Sequence, residues 1–145
     1  MSEVTINSIR NGVISTLHDH FDGVTVSGEE IGQGVSAPYF LVHLLSCSQD
    51  QELNRRYHRI YRFEVQHIAQ SGTNADAHEM AERLYSTFDS FTIDGASYNG
   101  IHMHHNVADQ VLHFFFDLEI RIWLVEADEP KMRTLTEEGV IKHGS

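Results

Sequence analysis

The segment at residues 111–125 constrains the fold more than any other part of the sequence. All of its even-numbered residues are apolar: Leu112, Phe114, Phe116, Leu118, Ile120, Ile122 and Leu124. Its odd-numbered positions include four polar residues: His113, Asp117, Glu119 and Arg121. Because successive side chains of a β-strand point to opposite faces of the sheet, the pattern predicts a long strand whose even-numbered residues face a hydrophobic core.

Further strands are predicted at residues 24–27, 37–48, 55–68, 91–94 and 98–106. Residues 37–48 form a nearly continuous apolar run, which predicts a central strand that is buried on both faces. Residues 55–68 alternate, so that one face carries Tyr57, Tyr61, Phe63 and Val65 and the other carries His58, Arg62, Glu64 and Gln66. Asp94 and Gly95 predict a turn after the strand at residues 91–94.

Two segments have the period of an amphipathic helix. In residues 5–21 the apolar positions recur at steps of three or four residues, and Thr5 is placed as the N-cap. In residues 76–91 the apolar positions recur in the same way, and Asp76 and Glu79 are spaced as a capping box. The sequence therefore predicts two helices, each with a single apolar stripe.

These elements predict one α+β domain. The chain has 145 residues, of which 41% are apolar, and this is enough for one domain with its own core. Both helices are expected to pack on one face of a mainly antiparallel or mixed sheet. The domain is predicted to span residues 1–127, with a loop at residues 28–34. Residues 128–145 are acidic and poor in apolar residues, which predicts a tail that orders only against a neighbouring molecule.

The charge of the chain argues against a nucleic-acid-binding protein of the usual kind. The net charge is −11 with neutral histidines, which opposes the basic surface that dominates affinity for phosphates. Cys47 is the only cysteine, so no internal disulfide can form. No segment reaches the roughly 20 apolar residues that span a bilayer, and the N-terminus lacks the features of a signal peptide. A soluble protein made in the cytosol is expected.

The histidines around the last two strands raise the question of a metal site. If Ile101 and Met103 face the core, His102 and His104 lie on the outer face with His113, and His104 and His113 are expected to be cross-strand neighbours. Three imidazoles on one face are compatible with catalytic zinc. A polar outer face or a subunit interface is the favoured interpretation, because an exposed sheet face supplies neither a cavity nor supporting hydrogen bonds for metal ligands.

Other side chains that often carry chemistry have ordinary explanations here. His105 is expected at the rim of the core with its hydrogen bonds satisfied, and His18 and His20 are expected in solvent at the end of the first helix. Cys47 lies in an apolar strand and is expected to act as a small hydrophobic residue. The sequence has no HExxH pair, no glycine-rich phosphate loop and no GxSxG nucleophile motif. An active site is therefore not predicted.

Three segments together resemble one protein family. They are "SQDQELNRRYHRIYRFEVQHI", "HEMAERLYSTF" and "VLHFFFDLEIRIWLVEADEPKM". In order and spacing they resemble the small tail terminator proteins of tailed bacteriophages, prophages and phage-tail-like particles. The resemblance covers residues 6–135 and rests on structural residues rather than on a catalytic motif.

The resemblance implies a structural virion protein that is not an enzyme and has no cofactor. Proteins of this family form a ring, typically a hexamer, at the head-proximal end of the tail tube, where they stop polymerisation and offer a surface for joining the head. The implied partners are further copies of the chain, the tail tube protein and head–tail connector proteins. Genome DNA would pass through the ring without sequence-specific binding, and no membrane is involved. The implied location is the virion tail or neck, after assembly in the cytoplasm of the bacterial host.

Arginines are concentrated in one strand. Four of the ten lysine and arginine residues lie within eight positions: Arg55, Arg56, Arg59 and Arg62. In a ring, such a cluster is suited to pair with carboxylates of a neighbouring subunit or partner. A solvated strand end accounts for it equally well, so the cluster is a hypothesis for a subunit or partner interface.

Two alternatives to a tail terminator stay open at this point. The first is a different neck protein, such as a head completion or connector protein. The second is a metal-binding module or metal-dependent enzyme that uses His102, His104 and His113. Stoichiometric, tightly bound zinc or iron in the purified protein would favour the second alternative.

Overall fold

The structure, a computed structural model, describes residues 4–29, 37–53, 56–70, 72–126 and 133–137. Its helices are α1 (Ile6–His20) and α2 (Asn74–Asp89). Its strands are β1 (Thr25–Ser27), β2 (Tyr39–Gln51), β3 (Arg56–Ile68), β4 (Phe91–Ile93), β5 (Ala96–Tyr98), β6 (Ile101–Ala108), β7 (Val111–Glu126) and β8 (Arg133–Glu137). Within the described ranges, neither helix is long and apolar enough to cross a membrane.

Helix α1 begins where the sequence predicts. The hydroxyl of Thr5 accepts a hydrogen bond from the Ser8 N–H at 3.0 Å, and the hydroxyl of Ser8 accepts one from the Thr5 N–H at 2.9 Å. These reciprocal bonds satisfy N–H groups that the first turn of a helix leaves without partners. Ile9, Val13 and Leu17 are buried along one side of the helix. The predicted amphipathic helix with Thr5 as its N-cap is confirmed.

Helix α2 begins three residues earlier than predicted, because its N-cap is Thr73 and not Asp76. Its N-cap is Thr73, whose hydroxyl accepts from the Asp76 N–H at 3.2 Å, while the Asp76 carboxylate accepts from the Thr73 N–H at 3.1 Å. Asp76 is therefore the third residue of the helix, and the predicted capping box of Asp76 and Glu79 is wrong. The first residues of the helix, Asn74, Ala75 and Asp76, are exposed and include no large apolar side chain, so the apolar pattern alone does not include them.

The main sheet has the strand order β1, β2, β3, β7, β6, and β8 also pairs with β7. β1 runs parallel to β2, and all other neighbours in this sheet are antiparallel. β3 is central, whereas β2 has, among the described strands, only the three-residue β1 on its other side. In β2, buried Phe40 and Val42 alternate with half-buried Leu41 and His43. The prediction of a central strand buried on both faces is wrong, because the helices cover only one face.

A β-bulge at Leu45 changes which residues of β2 face the core. Leu44 pairs with Phe63 and Ser46 pairs with Arg62, so that Leu45 has no partner on β3. Even-numbered residues face the core before the bulge, and odd-numbered residues such as Cys47 do so after it. The side chain of Leu45 is 54% exposed.

The predicted strand at residues 98–106 is divided between two sheets. Tyr98 ends β5, which forms a separate hairpin with β4 through a turn at Asp94 and Gly95, where φ is 51° and 84°. This turn is confirmed, and positive φ at both central residues is typical of tight hairpins. Gly100 separates β5 from β6. Its N–H bonds to the Phe88 carbonyl at 2.7 Å, and a Cβ atom would lie only 2.9 Å from that oxygen, so this close approach to the end of α2 favours glycine.

One hydrophobic core joins both helices to the inward face of the main sheet. At its centre the rings of Phe88 on α2 and Phe116 on β7 stack with 4.4 Å between their centroids. All even-numbered residues of β7 from Leu112 to Ile122 are buried. This confirms the predicted facing of β7 over those residues and the α+β fold with helices on one face of a mixed, mainly antiparallel sheet.

Some predictions fall at the borders of the described residues. β8 belongs to the predicted tail, yet it pairs with residues 122–126 of β7 in the same chain. This part of the tail therefore orders against its own domain, while the boundary at residue 127 stays a prediction. Most of the predicted loop at residues 28–34, the rest of the tail and Arg55 lie outside the described residues.

Candidate functional site

The face of the main sheet opposite the helices carries most of the side chains that the sequence singles out. We call it the helix-free face and define it by the outward residues of β3, β6 and β7: His58, Arg62, Glu64, His102, His104, His113, Phe115, Asp117, Glu119 and Arg121. The two strands β3 and β7 are paired along their whole common length. The face is therefore a flat, regular surface on which imidazoles, carboxylates and guanidinium groups stand side by side.

Three histidines of this face have separate partners. His113 Nδ1 lies 2.6 Å from Glu64 Oε2, and His102 Nδ1 lies 3.0 Å from Asp117 Oδ2. The ring of His104 stacks on Phe115 with 4.8 Å between centroids and an interplanar angle of 10°. The carboxylates of Glu64 and Asp117 have only 13% and 16% of their side chains exposed. The imidazole groups are thus fixed by neighbouring strands rather than by one another.

The predicted pairing of His104 with His113 is wrong. His104 lies opposite Phe115, and Asn106 lies opposite His113. The cause is the two-residue turn at Asp109 and Gln110, with φ of 52° and 65°, which pairs Ala108 with Val111 and, counting back along β6, His104 with Phe115. In the described part of the chain, no group of three or more His, Cys, Asp or Glu residues is arranged to hold a metal ion.

The described arginines of the cluster lie on both faces of β3. Arg62 is on the helix-free face, with its Nε 3.9 Å from Asp117, and 61% of its side chain is exposed. Arg59 is on the opposite face, where its Nε donates to Gln49 at 2.6 Å and its Nη1 donates to the Tyr61 hydroxyl at 3.2 Å. Arg56, at the start of β3, has Nη1 4.0 Å from Glu52. The cluster is therefore a basic end of the sheet rather than one patch.

Two residues that the sequence analysis did not include in the cluster belong to the same end. Arg121 Nε lies 3.4 Å from Glu52 Oε1, which is the oxygen that also faces Arg56. The sequence could have indicated Arg121, because its odd-numbered position in the alternating strand places this side chain on the helix-free face. Glu52 lies between β2 and β3, where no periodic pattern applies. The basic end thus has its charges partly compensated within the chain.

His105 lies at the rim of the core, as predicted, and its hydrogen bonds are satisfied. Its Nε2 is 3.0 Å from His78 Nδ1, and its Nδ1 is 2.8 Å from the Tyr85 hydroxyl. Burial lowers the pKa of His105, and the nearby imidazoles of His78 and His104 lower it further, while Glu82 opposes them. Burial, together with the charge of Glu82, raises the pKa of Tyr85. The group therefore joins α2 to β6 through hydrogen bonds.

A cavity of about 420 Å³ lies where the N-terminus of α2 meets the ends of β3 and β7. Its lining includes apolar Met80 and Leu112 and the polar residues His67, Thr73 and Asp76. Thr73 and Asp76 use their side chains to cap α2. Burial lowers the pKa of His67, and the charge of Arg83 adds to this effect. The cavity thus combines apolar walls with a neutral imidazole.

The remaining candidates lie where the sequence predicts. Cys47 is half-buried against the core, and burial raises the pKa of its thiol although Arg59 opposes this effect. A thiol with a raised pKa is a poor nucleophile. His18 and His20 are exposed at the end of α1. The chemistry that the described side chains support best is association through paired charges and strand edges.

A sequence model described as phage tail terminator protein matches residues 8–131 of the chain. The match includes most of α1 and all of the elements from β1 to β7. A search among curated proteins gave no match. Because the family match covers most of the chain, it confirms the resemblance found in the sequence. The chain therefore belongs to the phage tail terminator protein family, a family of structural proteins of bacteriophage tails.

Proposed function

We propose that this protein forms a ring that caps the tail tube, stops its polymerisation and provides the surface that joins the tail to the head or its connector. The family match over residues 8–131 carries this proposal, because it spans both helices and nearly the whole main sheet. The ring is expected to be a hexamer that works by assembly alone, without catalysis or a cofactor. Its partners are further copies of the chain, the tail tube protein and connector proteins.

The charge of the chain supports a channel through which DNA moves. The net charge is −11 with neutral histidines. A ring of several such subunits repels the phosphates of a duplex, so the genome can slide past its wall without being held.

The two ends of the long strands support a cap whose two sides differ. One end carries Arg56, Arg59 and Arg121, while the opposite end carries Asp109 in the β6–β7 turn and Asp76 at the start of α2. A terminating ring has to fit the tube on one side and present different chemistry on the other, since otherwise a further layer of tube protein would dock. The ends of this sheet meet that requirement.

The test is deletion of the gene from the phage or prophage that encodes it, followed by electron microscopy of the particles. Tails of uncontrolled length without heads are expected, and supplying the gene in trans should restore tails of normal length that are joined to heads. Tails of normal length that lack heads would instead indicate the alternative role of a head completion or connector protein. Tails of normal length joined to heads would sink the proposal.

A further inference from the structure

A long edge of the main sheet has no strand beside it in the described part of the chain. β1 pairs with β2 only from Tyr39 to Leu41. The remaining residues of β2, from Val42 to Gln51, pair with β3 on one side and with no described strand on the other. We call this segment the β2 edge.

The β2 edge lacks most of the features that keep strand edges from associating. Natural edge strands carry lysine, proline or inward-pointing charges, or they are very short. The sequence of the edge, VHLLSCSQDQ, contains no lysine, arginine, proline or glycine, and its only charged residue is Asp50. It also exposes Leu45. The bulge at Leu45 is the one protective feature, so the edge is suited to accept another strand.

The opposite edge of the sheet has matching properties. β6 is the last strand in the order, with eight residues, and it pairs only with β7 among the described strands. Its sequence, IHMHHNVA, likewise contains no lysine, arginine, proline or glycine. The ionisable side chains of β6 are imidazoles, including exposed His102 and His104, so this edge presents no carboxylate to an incoming strand.

The strand directions make these two edges complementary. β2, β3, β7 and β6 alternate in direction, since each neighbouring pair is antiparallel. β2 and β6 therefore run in opposite directions. A second copy, related by rotation about an axis along the strands, would place its β6 antiparallel to the β2 edge. At equal height along the strands, residues 42–46 of one copy would lie beside residues 101–105 of the next. The same operation repeated closes a ring, whereas a two-fold pairing of two β2 edges would leave both β6 edges open.

We propose that the β2 edge of one subunit forms an antiparallel ladder with β6 of the next, so that the ring is held together by one continuous sheet. This inference rests on the proposed ring and names the surface that closes it. Backbone hydrogen bonds would supply the contact, as in other cases of strand addition. The arginines at the end of the sheet would then lie on one side of the ring.

Cysteine cross-linking tests the pairing directly. In a Cys47→Ser background, His43→Cys or Ser46→Cys on the β2 edge is combined with His102→Cys or His104→Cys on β6. Oxidation of the full-length protein should give a ladder of covalent oligomers that ends at a closed species for at least one combination. A matched control combines Ser46→Cys with Ser86→Cys on the exposed side of α2, and it should not cross-link. Cross-links only between two β2 edges, or a monomer at all concentrations, would overturn the inference.

A second variant places a charge on the edge without touching the core. Leu45→Lys with Ser48→Lys should leave the circular dichroism spectrum unchanged and move the midpoint of association to at least about tenfold higher protein concentration. Ser86→Lys is the control and should assemble like the unmodified chain. Assembly of the double variant with an unchanged midpoint would contradict the edge pairing.

The two proposals can fail separately. A ring observed by light scattering without any cross-link between β2 and β6 would reject the edge pairing and leave the terminator function standing. Cross-linked rings from a chain whose deletion leaves tails normal would reject the terminator function and leave the pairing standing.

Discussion

The imidazole of His113 on β7 lies against the carboxylate of Glu64 on β3, with 2.6 Å between Nδ1 and Oε2. This pair lies on the helix-free face, and 23% of the His113 side chain and 13% of the Glu64 side chain are exposed. This pair links β3 to β7, and the shielded carboxylate of Glu64 also accepts a hydrogen bond from Gln66 Nε2 at 3.2 Å, so this carboxylate has two partners within the sheet. His113 is therefore part of the packing between strands rather than a member of a histidine cluster.

Replacing the three histidines by glutamine should separate these roles. His102→Gln with His104→Gln should change the free energy of unfolding by less than about 0.5 kcal/mol, since both side chains are exposed. Adding His113→Gln should lower it by about 1 to 2 kcal/mol through the loss of the Glu64 contact. Denaturant unfolding measures both changes in the free energy of unfolding, and metal analysis should give the same metal content for all variants. Unfolding of the triple variant together with loss of a stoichiometric metal would revive the metal-site alternative.

Phe116→Ala should lower the free energy of unfolding by about 3 to 5 kcal/mol, and Phe114→Ala should have a similar effect. Both rings are fully buried, and Phe116 stacks on Phe88 at 4.4 Å between centroids. Phe115→Ala is the matched control, because this ring lies on the helix-free face and is only half-buried. The midpoint of urea unfolding should drop far less for the control. Equal losses at Phe115 and Phe116 would show that the assigned facing of β7 is wrong.

Thr73→Ala should lower the free energy of unfolding by about 1 kcal/mol, because the Asp76 N–H loses its acceptor at the start of α2. Glu79→Ala is the control, since Glu79 is exposed and lies outside the cap, and it should change the stability by less than about 0.5 kcal/mol. Thermal unfolding followed by circular dichroism compares the two variants. A larger loss for Glu79→Ala would place the start of the helix where the sequence pattern alone suggested it.

Stability should fall as the pH decreases below about 6.5, the ordinary pKa of histidine. The pKa values of His67 and His105 are lowered in the folded protein, with burial as the largest cause. For each histidine, the unfolded chain therefore binds more protons than the folded chain at pH values between its folded-state and unfolded-state pKa. The contribution of the neutral imidazole to stability is lost as the pH falls through the folded-state pKa. His67→Gln should flatten the dependence of the unfolding midpoint on pH. His18→Gln, at an exposed site, should leave the curve unchanged.

Reversing charge at Arg55, Arg56 and Arg59 to glutamate should leave the subunit folded and weaken ring formation or docking, since charged side chains act on association more than on a hydrophobic core. The same three changes to lysine keep the charge and should assemble normally. Circular dichroism reports the fold, and electron microscopy of tails from the mutant phage reports docking. Contacts made by exposed arginines should also weaken at higher ionic strength. Normal assembly of the glutamate variant would remove the arginines from the interface hypothesis.

Sequence patterns predicted the regular parts of this fold because those parts have one period over many residues. β7 alternates from Leu112 to Ile122 without interruption, and α1 keeps its apolar stripe from a clear N-cap at Thr5. The polar first turn of α2 carries no apolar signal, so its true cap at Thr73 required the reciprocal bonds to Asp76 to be seen.

Interruptions of the period account for the other differences. Gly100 divides one predicted strand into β5 and β6 because it approaches Phe88 closely. This contact joins residues of two different elements, so no pattern within one element predicts it. The two-residue turn at Asp109 and Gln110 set the register of β6 against β7 and placed His104 opposite Phe115 rather than His113. The partners of the site residues, such as Glu52 for Arg121, depend on strand pairing and thus on the assembled sheet.

The bulge at Leu45 has a consequence for how the length of this strand can vary. Elsewhere in β2, removing one residue would turn every following side chain to the wrong face of the sheet. Removing Leu45 would instead leave Leu44 opposite Phe63 and Ser46 opposite Arg62, as they are now. This position is therefore a point at which the chain can lose a residue without any other residue changing sides.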